Sequence, residues 1–478
     1  MNSRDIRIRL EDLEKSLPEA DAGSIHDRCL AAVGSMRLKV VVLDDDPTGT
    51  QVVHDVPVYT QWQSDVLCEA LRATGRMFFI LTNSRGMTES ETIRIHREIA
   101  QNLIYAMRET GQKILLISRS DSTLRGHFPV ETAVINEEWT AGGMGAFDGE
   151  IILPFFPEGG RYTIGNTHYV EQHHTLIPVA ETEFAKDSTF PFHHSDLCEW
   201  IAEKTTGAYP AKDVCCFSVD ELRTNTVSAL TDKLMKVTGF GKIVVNAVSY
   251  TDLELFAIPL MNAVRQGKKY LFRSAAAITK VLGLVQDREP LRKDEIKDTD
   301  SRNGGLIVVG SHVQKTTQQL SALLSQYALE QYEFDVRNIL NKDELEDKIQ
   351  SLAAQIGHAL KAGKNTVLYT SRQKPVLPDA DQEAELLFSV SVSDALAEIV
   401  RRISVRPCFL LAKGGITSSD IATKSLQIKQ ATVIGQILKG VPVWKAGRDS
   451  RFPGLPYIIF PGNVGSQDSL AEAYSKLL

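Results

Sequence analysis

The sequence predicts an α/β fold made of two α/β domains with mainly parallel sheets, and three observations lead there. Short unbroken aliphatic runs, which read as strands buried on both faces, alternate with stretches of helical periodicity. Each run stops at small, hydroxyl-bearing or charged residues, the carboxyl-end position where open parallel sheets bind ligands. A mostly charged stretch from Asp287 to Asn303, without an aromatic residue, then separates two such series. At 478 residues the chain is too long for one ordinary core. The expected division is a helical extension over 1–36, an α/β domain over 37–286, a charged linker over 287–304 and a second α/β domain over 305–478.

The first twenty residues are dense in Arg, Glu and Asp. Ile6, Leu10, Leu13 and Leu17 recur at helical spacing, which predicts an amphipathic helix docked on the body or on a second subunit, as in a homodimer. The aliphatic run 40–43 enters Asp44-Asp45-Asp46-Pro47-Thr48-Gly49. Three adjacent carboxylates repel one another unless water, a cation, arginine or lysine compensates. A strand over 56–60 and a helix through Leu71 follow. The run 77–81 exits into Thr82-Asn83-Ser84-Arg85-Gly86, and 89–109 is helical through Ile93, Ile99, Leu103 and Met107. The run 114–117 leads into Ser118-Arg119-Ser120-Asp121-Ser122-Thr123-Leu124-Arg125-Gly126. Three exits of this kind on one sheet edge form a candidate site.

The strand at 151–153 gives way to a loop from Pro154 to Arg161, and the next part, to about Ser195, is rich in His, Thr and Pro. His173-His174 and His193-His194 lack any matching ligand spacing, so no metal ligand is assigned. Strands at 243–245 and 270–272 follow, the second ending in Arg273-Ser274-Ala275-Ala276. Beyond the charged stretch, 306–309 exits into Gly310-Ser311-His312, a helix-rich stretch runs through Leu360, and 366–369 is a strand. The run 408–412 enters Lys413-Gly414-Gly415-Ile416-Thr417-Ser418-Ser419 and opens a helix near Asp420. Paired glycines, hydroxyl caps and a helix start make an anion-binding arrangement suited to phosphate. Gly440-Val441-Pro442 and Phe460-Pro461-Gly462-Asn463-Val464-Gly465 complete the series.

Composition narrows the class. Hydrophobic content of 43% and charged content of 24% are those of a globular protein, and a net charge of −7 argues against a nucleic-acid binder. No apolar stretch reaches membrane-spanning length and no signal-peptide core is present, so no membrane partner is expected. Six scattered cysteines without a CxxC pair point to reduced thiols in a cytoplasm. Cys215 and Cys216, neighbours in a strand, are expected to face opposite ways.

Two families share the opening motif. Asp44-x-Asp46-x-Thr48 and Leu81-Thr82-Asn83 resemble the first two motifs of haloacid dehalogenase phosphatases, in which Asp44 would attack phosphorus and Asp46 act as general acid. The acidic pair that completes their magnesium site has no counterpart at the later strand exits. The better resemblance, from about residue 38 onward, is to the four-carbon acid sugar kinases. It rests on Asp45-Asp46-Pro47-Thr48-Gly49, Asp121 to Gly126, Pro154 to Arg161 with Gly165, Ser274-Ala275-Ala276, Gly310-Ser311, Gly414 to Ser418, Gly440-Val441-Pro442 and Gly462 to Gly465, in the family's order. Three departures stand out: proline in place of leucine in the first motif, Ser118-Arg119-Ser120 where lysine is common, and Phe460-Pro461 in place of Lys-Ser. Divergent relatives have also been described as effector-like, which keeps a non-catalytic binding protein on this fold as an alternative.

The kinase resemblance implies an acid sugar on the N-terminal domain, ATP with Mg²⁺ on the C-terminal domain, and phosphoryl transfer in an active-site cleft between them. The implied catalytic residues are Asp45, Asp46 and Asp121. Thr48, Gly49, Ser84, Arg85, Ser122, Thr123, Arg125, Gly126 and Arg161 would bind the acid sugar. Ser311, Gly414, Gly415, Ile416, Thr417, Ser418, Gly462 and Asn463 would bind nucleotide, with Ser274 reaching across. A tetronate carries a carboxylate and several hydroxyls. Arg85 and Arg125 can anchor the first through bidentate bonds, and the aspartates can orient the second.

Overall fold

The computed structural model describes residues 8–296, 301–372, 382–462 and 464–478. The chain forms two compact units: one from the chain up to Asp45 together with Trp62–Gln286, the other from Asp46–Gln61 together with Asp287–Leu478. Both are α/β, and among the described residues no helix is long and apolar enough to cross a membrane.

The aliphatic runs of the first unit become a seven-stranded, wholly parallel sheet. Its order is Cys215–Phe217, Gly241–Val245, Gly149–Leu153, Tyr270–Ser274, Ile114–Arg119, Lys39–Asp44 and Met77–Leu81. Every residue of the strands Lys39–Asp44, Met77–Leu81, Gly149–Leu153 and Tyr270–Ser274 is buried, as unbroken apolar runs require. Register sets the carboxyl edge: Asp44 lies opposite Arg119 and Leu81, and Ser274 lies opposite Arg119 and Leu153. The helix Glu89–Thr110 starts with a Thr88–Glu91 capping box and stops at Gly111, close to the bounds its periodicity predicts.

This unit also holds a second sheet that no pattern in the sequence predicts. Ile8–Arg9, Thr175–Pro178, Thr167–Gln172 and Arg161–Ile164 pair antiparallel in that order. These strands are short, polar and partly exposed, so they carry no unbroken apolar run. His173 and His174 are not on a strand; they form the turn between Thr167–Gln172 and Thr175–Pro178, with φ of 49° and 62°. At the N-terminus the expected single helix is a strand residue pair followed by helices Leu10–Ser16 and Ala22–Gly34, and Ile6 lies outside the described residues.

The second unit has a parallel core in the order Glu330–Phe334, Thr366–Thr370, Leu306–Val309, Leu410–Lys413 and Pro456–Phe460. Val441–Ala446, Gln430–Leu438 and Val56–Tyr59 extend it antiparallel. The strand at 56–59 therefore packs with this unit, far along the chain from its neighbours. Glu330–Phe334 lies inside the stretch read as helix-rich; its sequence alternates polar and aromatic residues without an aliphatic run. The helix expected near Asp420 begins earlier, as Gly415–Asp420, and continues into a π-turn at Ile421–Ser425. The charged segment is not wholly an exposed excursion: Leu291 and Ile296 are buried in the core of this unit, and Leu291 N–H donates to Gln436 O.

Candidate active site

In the first unit the acids of the opening motif meet arginines from neighbouring strand exits. The strand Lys39–Asp44 ends at Asp44, so side-chain alternation stops there and Asp45 can turn toward the same partner. Arg119, at the end of the adjacent strand, donates from Nη1 to Asp44 Oδ1 and to Asp45 Oδ1, both at 3.1 Å. Arg85, on the 3₁₀ turn Ser84–Gly86 after the strand Met77–Leu81, grips Asp45 through Nε and Nη2 at 2.9 and 2.6 Å. Ser120 Oγ donates to Asp45 Oδ2 at 3.4 Å. Gly126, at φ 117°, leaves room here: a Cβ would stand 3.0 Å from Ser120 Oγ and 3.7 Å from Asp45 Oδ2.

Asp121 is held in the same way from within its own run. Arg125 Nε donates to Asp121 Oδ2 at 2.8 Å, Thr123 Oγ1 makes a short bond to the same oxygen, and Arg85 Nη1 is 3.9 Å from Oδ1. Burial opposes ionisation of Asp121, but the Arg125 and Arg85 guanidiniums outweigh it and hold the carboxyl well below its usual range. Arg125 Nη1 also reaches Asp187 at 3.3 Å and stands over the Phe184 ring. Ser84 is buried with its hydroxyl on Glu131 Oε1 at 2.6 Å, and Ser122 gives its carbonyl to His168. The His168 imidazole is neutral, because burial pushes it down to about 4. Its Nε2–H donates to Ser122 O at 2.7 Å, which leaves Nδ1 to accept from Thr163 Oγ1 at 2.9 Å. Arg161, also read from the sequence, is buried and lies over the same Phe184 ring at 5.6 Å.

In the second unit a cavity of about 590 Å³ opens at the carboxyl edge of the parallel core. Ser311, Gly414, Gly415, Ile416, Thr417 and Gly462, all sequence candidates, line it. Ser418 does not; its hydroxyl folds back onto Ala412 O and Gly414 O, and its carbonyl accepts from Tyr457. Asn463 lies outside the described residues. Gly414 turns the chain at φ 118°, and a Cβ on Gly415 would stand 3.0 Å from Asp46 Oδ2. Asp46 itself is extended (φ −153°), as a residue before proline should be, and caps the turn Pro47–Thr50 by accepting from Thr48 N–H at 2.7 Å. Gly49 is buried in that turn.

Several neighbours of these residues carry no recognisable signal in the sequence. Arg119 and Arg273 stand at strand exits, but a single arginine there reads equally as a structural ion pair. Arg372 Nη1 donates to Ser311 O at 2.8 Å and lines the cavity. Lys413 is fully buried beneath the paired glycines, with Nζ bound to the carbonyls of Pro461 and Gly462. Burial, with Lys315 adding to it, lowers its ammonium to about 7. The last motif thus lacks its own lysine, and one from the adjacent strand holds the loop. Ser274 belongs to the first unit, with its hydroxyl buried and unpartnered beside the row of Arg119 and Leu153. Among the described residues no group of three or more His, Cys, Asp or Glu side chains could hold a metal ion.

The two halves also match known families. A model for a sugar-binding N-terminal domain covers residues 40–282, and one for a nucleotide-binding C-terminal domain covers 306–470. The chain is 25% identical over 454 residues to a D-threonate kinase from Salmonella typhimurium, covering 91% of this chain and 97% of that protein. The fold resembles a crystal structure from Haemophilus influenzae (TM-score 0.57, 17% identity, 92% of this chain and all of the other). A Salmonella typhimurium LT2 structure, provisionally described as a tRNA synthase, has TM-score 0.61 at 15% identity over 93% of this chain and all of the other. Together the domain matches and the relative support a kinase of sugar acids that uses a nucleotide. With one family model spanning more than half the sequence and its partner following in order, the chain belongs to the four-carbon acid sugar kinase family as a divergent member.

Proposed function

We propose that the protein is an ATP- and Mg²⁺-dependent kinase that phosphorylates a hydroxyl of a four-carbon sugar acid of the threonate, erythronate or 3-oxo-tetronate type. One observation carries the reading: the polar groups are divided between the two family-matched halves. Ion-paired acids and arginines gather at the sheet edge of the first unit, and a glycine-walled cavity opens in the second.

Asp45, fixed by Arg85 and Arg119, and Asp121, fixed and kept ionised by arginine, accept hydrogen bonds from substrate hydroxyls and orient them. Asp121 is too weak a base at neutral pH to do more. The cavity in the second unit is of the size that small ligands occupy, about 300–1,000 Å³. The glycine turn leaves backbone N–H groups for phosphate oxygens. Asp46, against Gly415, is the carboxylate assigned to the attacking hydroxyl and to magnesium. Lacking a multi-residue metal site, the described residues fit magnesium only as the companion of nucleotide phosphates, where it neutralises charge on the transferred group. Thiols at all six cysteines agree with a cytoplasmic setting.

Gly415→Leu tests the assignment, because the new side chain must displace Asp46 and fill the cavity. ATP affinity should fall about tenfold or more, with sugar-acid affinity retained. Unaltered ATP affinity in the folded variant would remove nucleotide from this cavity.

A further inference from the structure

Three of the five arginines gathered in the first unit already have carboxylate partners. Arg85 is bidentate on Asp45, Arg119 bridges Asp44 and Asp45, and Arg125 joins Asp121 to Asp187. Arg161 and Arg273 do not. Arg273 is 1% exposed; its Nη2 donates to Arg125 O at 3.1 Å, while Nε and Nη1 have no partner. Arg161 is 7% exposed, and its Nε is likewise unpartnered. Among the described residues neither is in ion-pair contact with an acid; Asp121 and Glu183 act on Arg161, and Asp121, Asp45 and Glu131 on Arg273, through space only.

Both guanidiniums are held in place by aromatic rings. Arg161 lies over Phe184 at 5.6 Å, the ring that Arg125 also covers at 5.1 Å, and Arg273 lies over Trp200 at 5.2 Å. Trp200 is in turn stacked on Phe128 at 4.6 Å. Stacking fixes the plane of a guanidinium and leaves its donor edge for an acceptor. His168 lies within the field of both arginines, but it is neutral and uses both ring nitrogens on Ser122 and Thr163, so it supplies no counter-charge. Two buried cations without an anion in contact are costly to maintain in the folded protein, unless a ligand brings a carboxylate onto their free donors.

We propose that Arg161 and Arg273, rather than Arg85 and Arg125, receive the carboxylate of the substrate. The inference rests on the sugar-acid reading above and deepens it. Arg85, Arg119 and Arg125 hold the aspartates that orient hydroxyls, whereas Arg161 and Arg273 select an acid over the corresponding neutral polyol. Burial lowers the pKa of both arginines, as it does for cations awaiting a counter-ion.

The test is a calorimetric titration of the full-length protein with threonate and erythronate, and with threitol and erythritol as neutral counterparts. Wild type, Arg161→Met, Arg273→Met and the charge-retaining Arg161→Lys and Arg273→Lys are compared, with ATP binding and cooperative melting as checks of folding. The methionine variants should lose affinity for the acids by on the order of a hundredfold, and leave the weak affinity for the polyols and the ATP affinity unchanged. The lysine variants, which lose the fork but keep the charge, should fall between. Acid affinity equal to wild type in folded lysine and methionine variants would overturn the anchor and leave the kinase reading intact. Wild-type protein that binds none of the acids would overturn that reading, and the anchor with it.

Discussion

His168 shows how burial at one residue enters stability. Its folded pKa is about 4, whereas an imidazole in the unfolded chain titrates near 6.5. Between those values the unfolded chain binds a proton that the folded protein does not, so stability rises with pH across that window. The contribution is complete above about pH 6.5, and about 3 kcal/mol is lost by pH 4. Urea denaturation from pH 7.5 to 4.5 should show this loss in wild type and a flatter profile in His168→Gln. Parallel profiles would mean that the imidazole is not held neutral. Sequence gave no hint of this role, because His168 stands in a polar strand beside more conspicuous histidine pairs. At the same scale the placement of Asp45, Asp121 and Arg125 just beyond strand ends was legible, since each sits in a dense polar run after an aliphatic one. Their pairing was not. Whether a guanidinium waits for a ligand or already holds an aspartate depends on residues 40 to 75 positions away, as for Arg85 with Asp45 and Arg119 with Asp44.

The element that carries most local consequence is the turn Pro47–Thr50. Proline fixes its start, Asp46 caps it, and Thr50 Oγ1 accepts from the fully buried Trp444 Nε1–H at 2.9 Å. Gln51 Nε2 adds a bond to Gly440 O at 3.1 Å. Thr50→Val keeps the shape and removes the acceptor, which leaves a buried indole N–H unsatisfied at a cost of about 1–3 kcal/mol. Chemical denaturation should register that loss, and Thr50→Ser should recover most of it; equal stability of the valine variant would show the bond to be dispensable. Strands made of aliphatic runs were readable to within a residue or two, because burial on both faces leaves an unmistakable pattern. The antiparallel strands Arg161–Ile164, Thr167–Gln172 and Gln430–Leu438 were not. Thr167–Gln172 and Gln430–Leu438 alternate burial and exposure, Arg161–Ile164 is a short run that opens on a charged residue, and the partners of all three are set by register rather than by composition.

For the whole molecule, the α/β class and the order of the family motifs were legible from the chain alone. The course of the segment at 46–61 was not: its strand Val56–Tyr59 pairs with Gln430–Leu438, some 370 residues later, and no local pattern announces so distant a partner. This matters for function because the opening motif is shared out. Asp44 and Asp45 end the sheet of the first unit, while Asp46 and its turn pack with the second, against the glycine turn. Asp44, 1% exposed and ion-paired to Arg119, is poorly placed to act as a covalent nucleophile, which weighs against phosphatase chemistry at this motif. The most direct measurement is phosphorus NMR of the purified protein incubated with ATP, Mg²⁺ and a panel of four-carbon sugar acids. A sugar-acid kinase yields ADP and a phosphomonoester of one acid, formed in equal amounts and only when both substrates are present. Inorganic phosphate released from phosphoesters without nucleotide, or no turnover of any acid in the panel, would contradict it.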